Sequence, residues 1–162
     1  DYSAVLQIEY FGRKILLTGD AESDIETKLI NIYGEDLKSD ILKVAHHGSK
    51  TSSSVNFLRE VSPLYAVISV EKGNTYNLPN DEIIARLDSI VGKDNVYRTD
   101  NMGNIVFGLN SKQQVDNKAS ILVKTTKATN VNVKVSWWCV VVLFEGVSFV
   151  IIFFVGKKKK EK

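Results

Sequence analysis

Two short apolar runs, each stopping at a residue type that binds metals, constrain this chain more than any other feature. They are Leu16-Leu17-Thr18-Gly19-Asp20 and Leu42-Lys43-Val44-Ala45-His46-His47-Gly48-Ser49. The second holds the only two histidines among 162 residues, and His46 lies 26 positions after Asp20. Short apolar runs bounded by glycine read as buried strands. A carboxylate and a histidine at the ends of neighbouring strands are what a borderline cation such as zinc or manganese needs.

Composition sets the outer limits. Hydrophobic residues make up 44% and charged residues 25%, the balance of an ordinary globular domain with a core. The net charge of +2 misleads, because five of the 21 basic residues crowd into positions 157–162. Without them the body is slightly acidic, which argues against a broad basic face for duplex DNA. The single cysteine, Cys139, excludes an intramolecular disulfide and a cysteine-rich zinc site.

The rest of the pattern alternates strands and helices, which predicts an α/β fold. Residues 4–10 and 14–18 read as a β-hairpin turned at Phe11-Gly12-Arg13. Ser23-Asp24-Ile25-Glu26 fits a capping box with Ser23 as N-cap, opening a helix that places Ile25, Leu29 and Ile32 on one face and ends at Gly34. Residues 40–45 form a short strand that delivers the histidines. A Ser/Thr-rich loop then feeds a helix over 55–61, and residues 65–70 are a β-branched strand. Residues 73–80 are a loop, and Asn80 caps a helix over 81–90. Residues 96–98 and 105–108 are expected to pair as a hairpin across Asp100-Asn101-Met102-Gly103.

Character changes near Ser111. Residues 111–136 read as a linker or a pair of weak strands, and 137–156 are an apolar run of 20, the length that spans a bilayer. Thirteen Val, Leu, Ile and Phe residues there contribute about −0.3 to −0.6 kcal/mol each toward insertion, against a cost of about 2.5–3.5 for the central Glu145. The sum favours a transmembrane helix, with Trp137 and Trp138 at one interface and the basic tail, 157–162, at the other. Two other readings stay open: buried strands split at Glu145-Gly146, and a sequence artefact beyond the domain. The first reading makes the protein membrane-anchored with residues 1–110 outside the cell; otherwise they are secreted.

Taken in order, Ser3-x-Val5-Leu6, the two metal segments, Asn74-x-Tyr76 and Tyr97-Arg98-Thr99-Asp100-x-x-Gly103 resemble the metallo-β-lactamase-fold hydrolase domain of the competence protein ComEC and its free-standing relatives. The likeness covers residues 1–110 or nearly so and corresponds to the C-terminal half of that domain. It implies a partial αββα fold around two divalent metal ions, zinc or manganese. On it Asp20 is the carboxylate bridging both metals, and one of His46 and His47 ligates the second. We take His47 as the ligand and His46 as the neighbour contacting substrate, a choice that spacing leaves open.

Ser49, Thr51 and Ser52 then line the site for a phosphate, with Asn74 and Tyr76 on the opposing loop. The chemistry implied is hydrolysis of a phosphodiester, single-stranded DNA during uptake, by a water whose pKa two metals lower to roughly 7. The family's chief cluster, His-x-His-x-Asp-His, does not occur in these residues, and Leu78-Pro79 stands where the family commonly has His-Pro. The chain is therefore expected to need the N-terminal half of the domain as a partner and to bind metal poorly alone. Simpler readings accompany each residue: Asp20 as a turn aspartate, the histidines as a satisfied pair, residues 49–54 as a helix cap. A binding or cell-surface module that kept the fold and lost its metals is the alternative from another class.

Overall fold

The computed structural model describes residues 3–126, 140–145 and 148–153. They are mixed α/β and fall into two compact units, one drawn from the described residues of 1–9, 13–68 and 74–97, the other from those of 10–12, 69–73 and 98–162.

The first unit carries most of a five-stranded sheet, in the order β1 (Leu6–Tyr10), β2 (Arg13–Leu17), β3 (Ile41–Lys43), β4 (Tyr65–Ile68), β5 (Val96–Arg98). The first turn is tight because Phe11 and Gly12 both take positive φ, as a two-residue hairpin loop requires. β2, β3 and β4 run parallel, pairing Leu16 with Leu42 and Leu42 with Ala66. Ile15, Leu16, Ile41, Leu42, Ala66, Val67 and Ile68 are all buried, so these strands read as continuous apolar runs rather than alternating ones. Helices α1 (Ser23–Tyr33), α2 (Val55–Val61) and α3 (Asp81–Leu87) follow β2, β3 and β4 in sequence.

At their amino ends the parallel strands are pinned by Asp40. Its carboxylate accepts from Arg13 Nη1 at 2.7 Å and from Lys14 N at 2.8 Å, and its carbonyl accepts from the amides of Leu64 and Tyr65. Two of the three helix starts match the expected chemistry. Ser54 Oγ accepts from Phe57 N, and Asn80 Oδ1 accepts from Glu82 N.

The third does not. The N-cap of α1 is Glu22 rather than Ser23, with no side-chain cap, and Glu26 does not reach back to it. Glu26 is instead buried, while Ile32 is 70% exposed, because the helix turns its Glu26 side inward, with Ile25, Leu29 and Ile30 half-buried beside it. α3 also stops at Leu87, continuing only as a π-type turn over Asp88–Gly92.

The expected 96–98/105–108 hairpin does not form. Val96–Arg98 is β5 of the first sheet, Thr99–Met102 is a short helix α4, and β6 (Asn104–Val115) starts a second sheet. Thr99 makes that break: its buried Oγ1 donates to Val70 O and accepts from Val70 N, both at 2.8 Å. The second sheet has the order β7 (Lys118–Thr126), β6, β9 (Ser148–Phe153), β8 (Val140–Glu145), with every pairing antiparallel.

The change of composition at Ser111 thus falls inside β6. Of the two readings for 111–136, paired strands apply as far as Thr126, joined by Asp116-Asn117 at positive φ. Within 137–156 the described residues are the strands β8 and β9; residues 137–139, 146–147 and 154–156 lie outside the described residues, as does the tail 157–162. Among the described residues no helix is long and apolar enough to cross a membrane.

Candidate functional site

The two metal-type segments follow the carboxyl ends of adjacent parallel strands, where open α/β sheets bind ligands. β2 ends at Leu17, and Thr18-Gly19-Asp20 turns out of the sheet. Thr18 Oγ1 donates to Lys43 O at 2.6 Å, locking the turn to β3, and Gly19 adopts a φ of 53°. Asp20 is left with its side chain 63% exposed, its amide donating to Ser3 Oγ at 2.8 Å.

β3 ends at Lys43, and Ala45–Gly48 forms a tight helical turn. His46 and His47 both sit in the left-handed region, with φ of 47° and 53°. For a residue with a Cβ this conformation costs of order 1–3 kcal/mol, and such strain concentrates at functional sites. It is held by His46 N donating to Gly19 O at 3.0 Å, by Ser49 N donating to His46 O at 2.9 Å, and by the packing of Gly48.

The left-handed pair sends the two rings to different partners. His47 Nε2 stands 3.9 Å from Asp20 Oδ1. His46 Nδ1 faces Glu22 Oε1 at 3.5 Å and Thr51 Oγ1 at 3.4 Å, while Thr51 Oγ1 donates to Glu22 Oε1 at 3.0 Å. The expected residues do come together here, but not on equal terms. Ser49 and Thr51 share a hydroxyl contact of 3.1 Å beside His46. Ser52 is buried, and its hydroxyl donates to Ala45 O and Ser49 O, bracing the histidine turn from within.

The amides of Ser53 and Ser54, which an anion at the start of α2 would use, are taken by Glu26. Asn74 organises its own loop: Oδ1 accepts from Tyr76 N and Leu78 N at 3.1 Å, and Nδ2 donates to Leu78 O. Tyr76 is 81% exposed on that loop, which is fastened to the histidine turn by Asn80 N donating to Gly48 O at 2.9 Å.

Three residues of this neighbourhood were not read from the sequence as belonging to the site. Glu22 and Glu26 carry the contacts just described. Lys43 is buried in the middle of the first sheet with Nζ donating to Val44 O at 2.7 Å, and burial pushes its ammonium down to about 8, partly offset by Asp20. A charge inside the run Ile41 to Ala45 is the signal that could have marked it.

The donor set of Asp20 and His47 suits a zinc- or manganese-type ion. Two ligand atoms each about 2.1 Å from a tetrahedral ion stand about 3.4 Å apart, so the pair, at 3.9 Å, would have to close by roughly half an ångström to share one. Among the described residues no group of three or more His, Cys, Asp and Glu side chains gathers around them.

No family model matches the chain. Comparison with curated proteins finds relatives named for competence and for recombination. In particular, the chain is similar to ComE operon protein 3 of Bacillus subtilis (strain 168), with 37% identity over 105 residues, and to competence protein ComA of Neisseria gonorrhoeae, with 41% over 107. It is also similar to recombination protein 2 of Haemophilus influenzae, with 38% identity over 86 residues, 53% of this chain and 10% of that protein. The first two matches cover 65% and 66% of this chain but only 13% and 15% of those proteins. The chain therefore spans a small part of the length of the curated relatives it matches.

Proposed function

We propose that this chain is the C-terminal half of a ComEC-like hydrolase domain of the metallo-β-lactamase type, acting on phosphodiesters in DNA uptake. The observation that carries the reading is the Asp20–His47 pair, 3.9 Å apart at the ends of adjacent parallel strands on a strained double-histidine turn. The likeness to a protein named for competence supports a setting in DNA uptake, where the substrate in this reading is single-stranded DNA outside the membrane.

In this reading Asp20 and His47 are two ligands of a two-metal centre, the remaining ligands coming from the other half of the domain. When bound, the ions supply Lewis acidity and a water acid enough to attack at neutral pH. The chain's own groups do the rest. His46, turned by Glu22 and Thr51, meets the substrate beside the ligand pair. Ser49 offers its hydroxyl to a non-bridging phosphate oxygen, Thr51 standing beside it at 3.1 Å with its own proton on Glu22, and the exposed Tyr76 ring lies against the strand, since aromatic faces accept any base.

The test is manganese binding and single-stranded DNA cleavage by the protein that carries both halves, with and without Asp20→Asn. Metal-dependent cleavage that Asp20→Asn abolishes is the expected result. Cleavage of small phosphodiesters with DNA left intact would overturn the DNA assignment. A folded protein that binds no metal would leave the binding-module alternative in its place.

A further inference from the structure

Glu26 is a buried carboxylate, 1% exposed, and nothing in the proposed chemistry uses it. Its two oxygens accept from consecutive amides of the loop after the histidines: Oε1 from Ser53 N in a short contact, and Oε2 from Ser54 N at 2.9 Å. Ser53 itself is buried with a φ of 57°, and its carbonyl accepts from Arg86 Nη1 at 2.7 Å. A loop held in this conformation has few other ways to satisfy those two amides.

The same turn of α1 grips the loop twice more. Ser23 N donates to Thr51 O at 2.9 Å, and Glu22 Oε1 accepts from Thr51 Oγ1. The gripped loop reaches the histidines through Ser52 Oγ on Ala45 O and Ser49 N on His46 O. From there the path returns to its start, because His46 N donates to Gly19 O, next to Asp20. Between Asp20 and α1 there is no slack either: Ala21 is buried and its amide donates to Thr18 O. Asp20 and His47 therefore sit on a closed circuit of hydrogen bonds that runs through α1, the 51–54 loop and the histidine turn, and Glu26 is its buried, two-armed member.

We infer that Glu26 is a positioning residue for the Asp20–His47 pair, setting the separation of two side chains it does not touch. The consequence for metal binding rests on the proposed function; the positioning itself does not.

The experiment uses the full chain, labelled with nitrogen-15, as wild type and Glu26→Gln, which places an amide N–H₂ against one loop N–H. Amide hydrogen exchange reads the circuit without metal, and manganese-induced broadening of the His47 ring signals reads the pair, with Asp20→Asn as the control for binding elsewhere. In Glu26→Gln, exchange should rise at least tenfold at Ser53 and Ser54 and also at His46, while the amides of β4 stay protected. The manganese concentration for half-broadening of His47 should rise severalfold.

Faster exchange at Ser53 and Ser54 with His46 and the manganese midpoint unchanged would overturn the inference and make Glu26 a local cap of α2. If the wild type shows no broadening at His47, that is the poor metal binding expected of the chain without the other half of the domain, and exchange at His46 by itself decides the role of Glu26. Should Glu26→Gln not fold, Glu26→Asp, which keeps the charge but withdraws it by one methylene, is read in the same way.

Discussion

Pro79 occupies the space that any side chain at Gly48 would need. A Cβ placed on Gly48 lies 2.6 Å from the proline Cβ and 3.2 Å from its Cα, and the φ of Gly48 is +84°. The loop that presents Tyr76 is thus seated directly on the glycine that closes the histidine turn. Gly48→Ala is expected to cost roughly 1–2 kcal/mol for the left-handed backbone and about 1–3 more for overpacking. Urea unfolding measures the loss, and displaced Tyr76 and Leu78 resonances should accompany it. An unchanged loop with an unchanged midpoint would show that Pro79 yields freely.

Arg13 and Asp40 form a nearly buried ion pair, 12% and 11% exposed, at the amino ends of β2 and β3. Removing one partner strands the other charge, so Arg13→Met should cost about 3 kcal/mol, the low end for a broken buried pair. The loss should appear in urea unfolding, with the Asp20–His47 region keeping its native chemical shifts because it lies at the opposite strand ends.

Lys43 makes stability depend on pH in an unusual direction. Its folded pKa, pushed down to about 8 by burial, lies below the 10.5 of an unperturbed lysine. Between those values the unfolded chain binds the extra proton, so this residue's contribution rises with pH across that window and is flat below it. The full excursion is roughly 3 kcal/mol. Lys43→Met removes the titrating group, so the difference between variant and wild type should shrink from pH 7 to pH 10.5 in parallel unfolding curves. A constant difference would mean the ammonium finds better solvation than its burial indicates.

Two serines at helix starts should separate cleanly. Ser54→Ala deletes the acceptor for Phe57 N and should cost about 1 kcal/mol, the usual value of an N-cap. Ser23→Ala deletes no cap, since α1 has none from a side chain, and thermal melts should place it within about 0.5 kcal/mol of wild type, as for other exposed substitutions.

The strand ends and two of the helix starts around the histidines were legible in the sequence. The apolar runs that stop at Asp20 and His46 marked strand ends, and Ser54 and Asn80 had the chemistry of caps and act as caps. What stayed hidden depends on contacts far apart in sequence. Ser23-x-x-Glu26 matches a capping box locally, yet the partners of Glu26 come from residues 53 and 54, which no local pattern supplies.

The left-handed histidines could not be read either, because no residue preference announces two successive positive φ values outside glycine-rich turns. Lys43 was masked by the apolar run around it. The long β6–β7 hairpin was faint because its outer half is polar on both faces, leaving its turn, Asp116-Asn117, as the clearest mark.

The parallel arrangement of β2, β3 and β4 divides these strands into two ends with opposite tolerances. At one end Arg13, Asp40, Leu64 and Tyr65 knit the strands through charge and backbone, so change there is paid in foldedness. At the other, Asp20, the histidine turn and the Tyr76 loop project from finished strands and can be rewritten while the sheet below stays as it is. A chain built this way offers an engineer a socket, in which specificity can be exchanged loop by loop provided Gly48 and Glu26 are left in place.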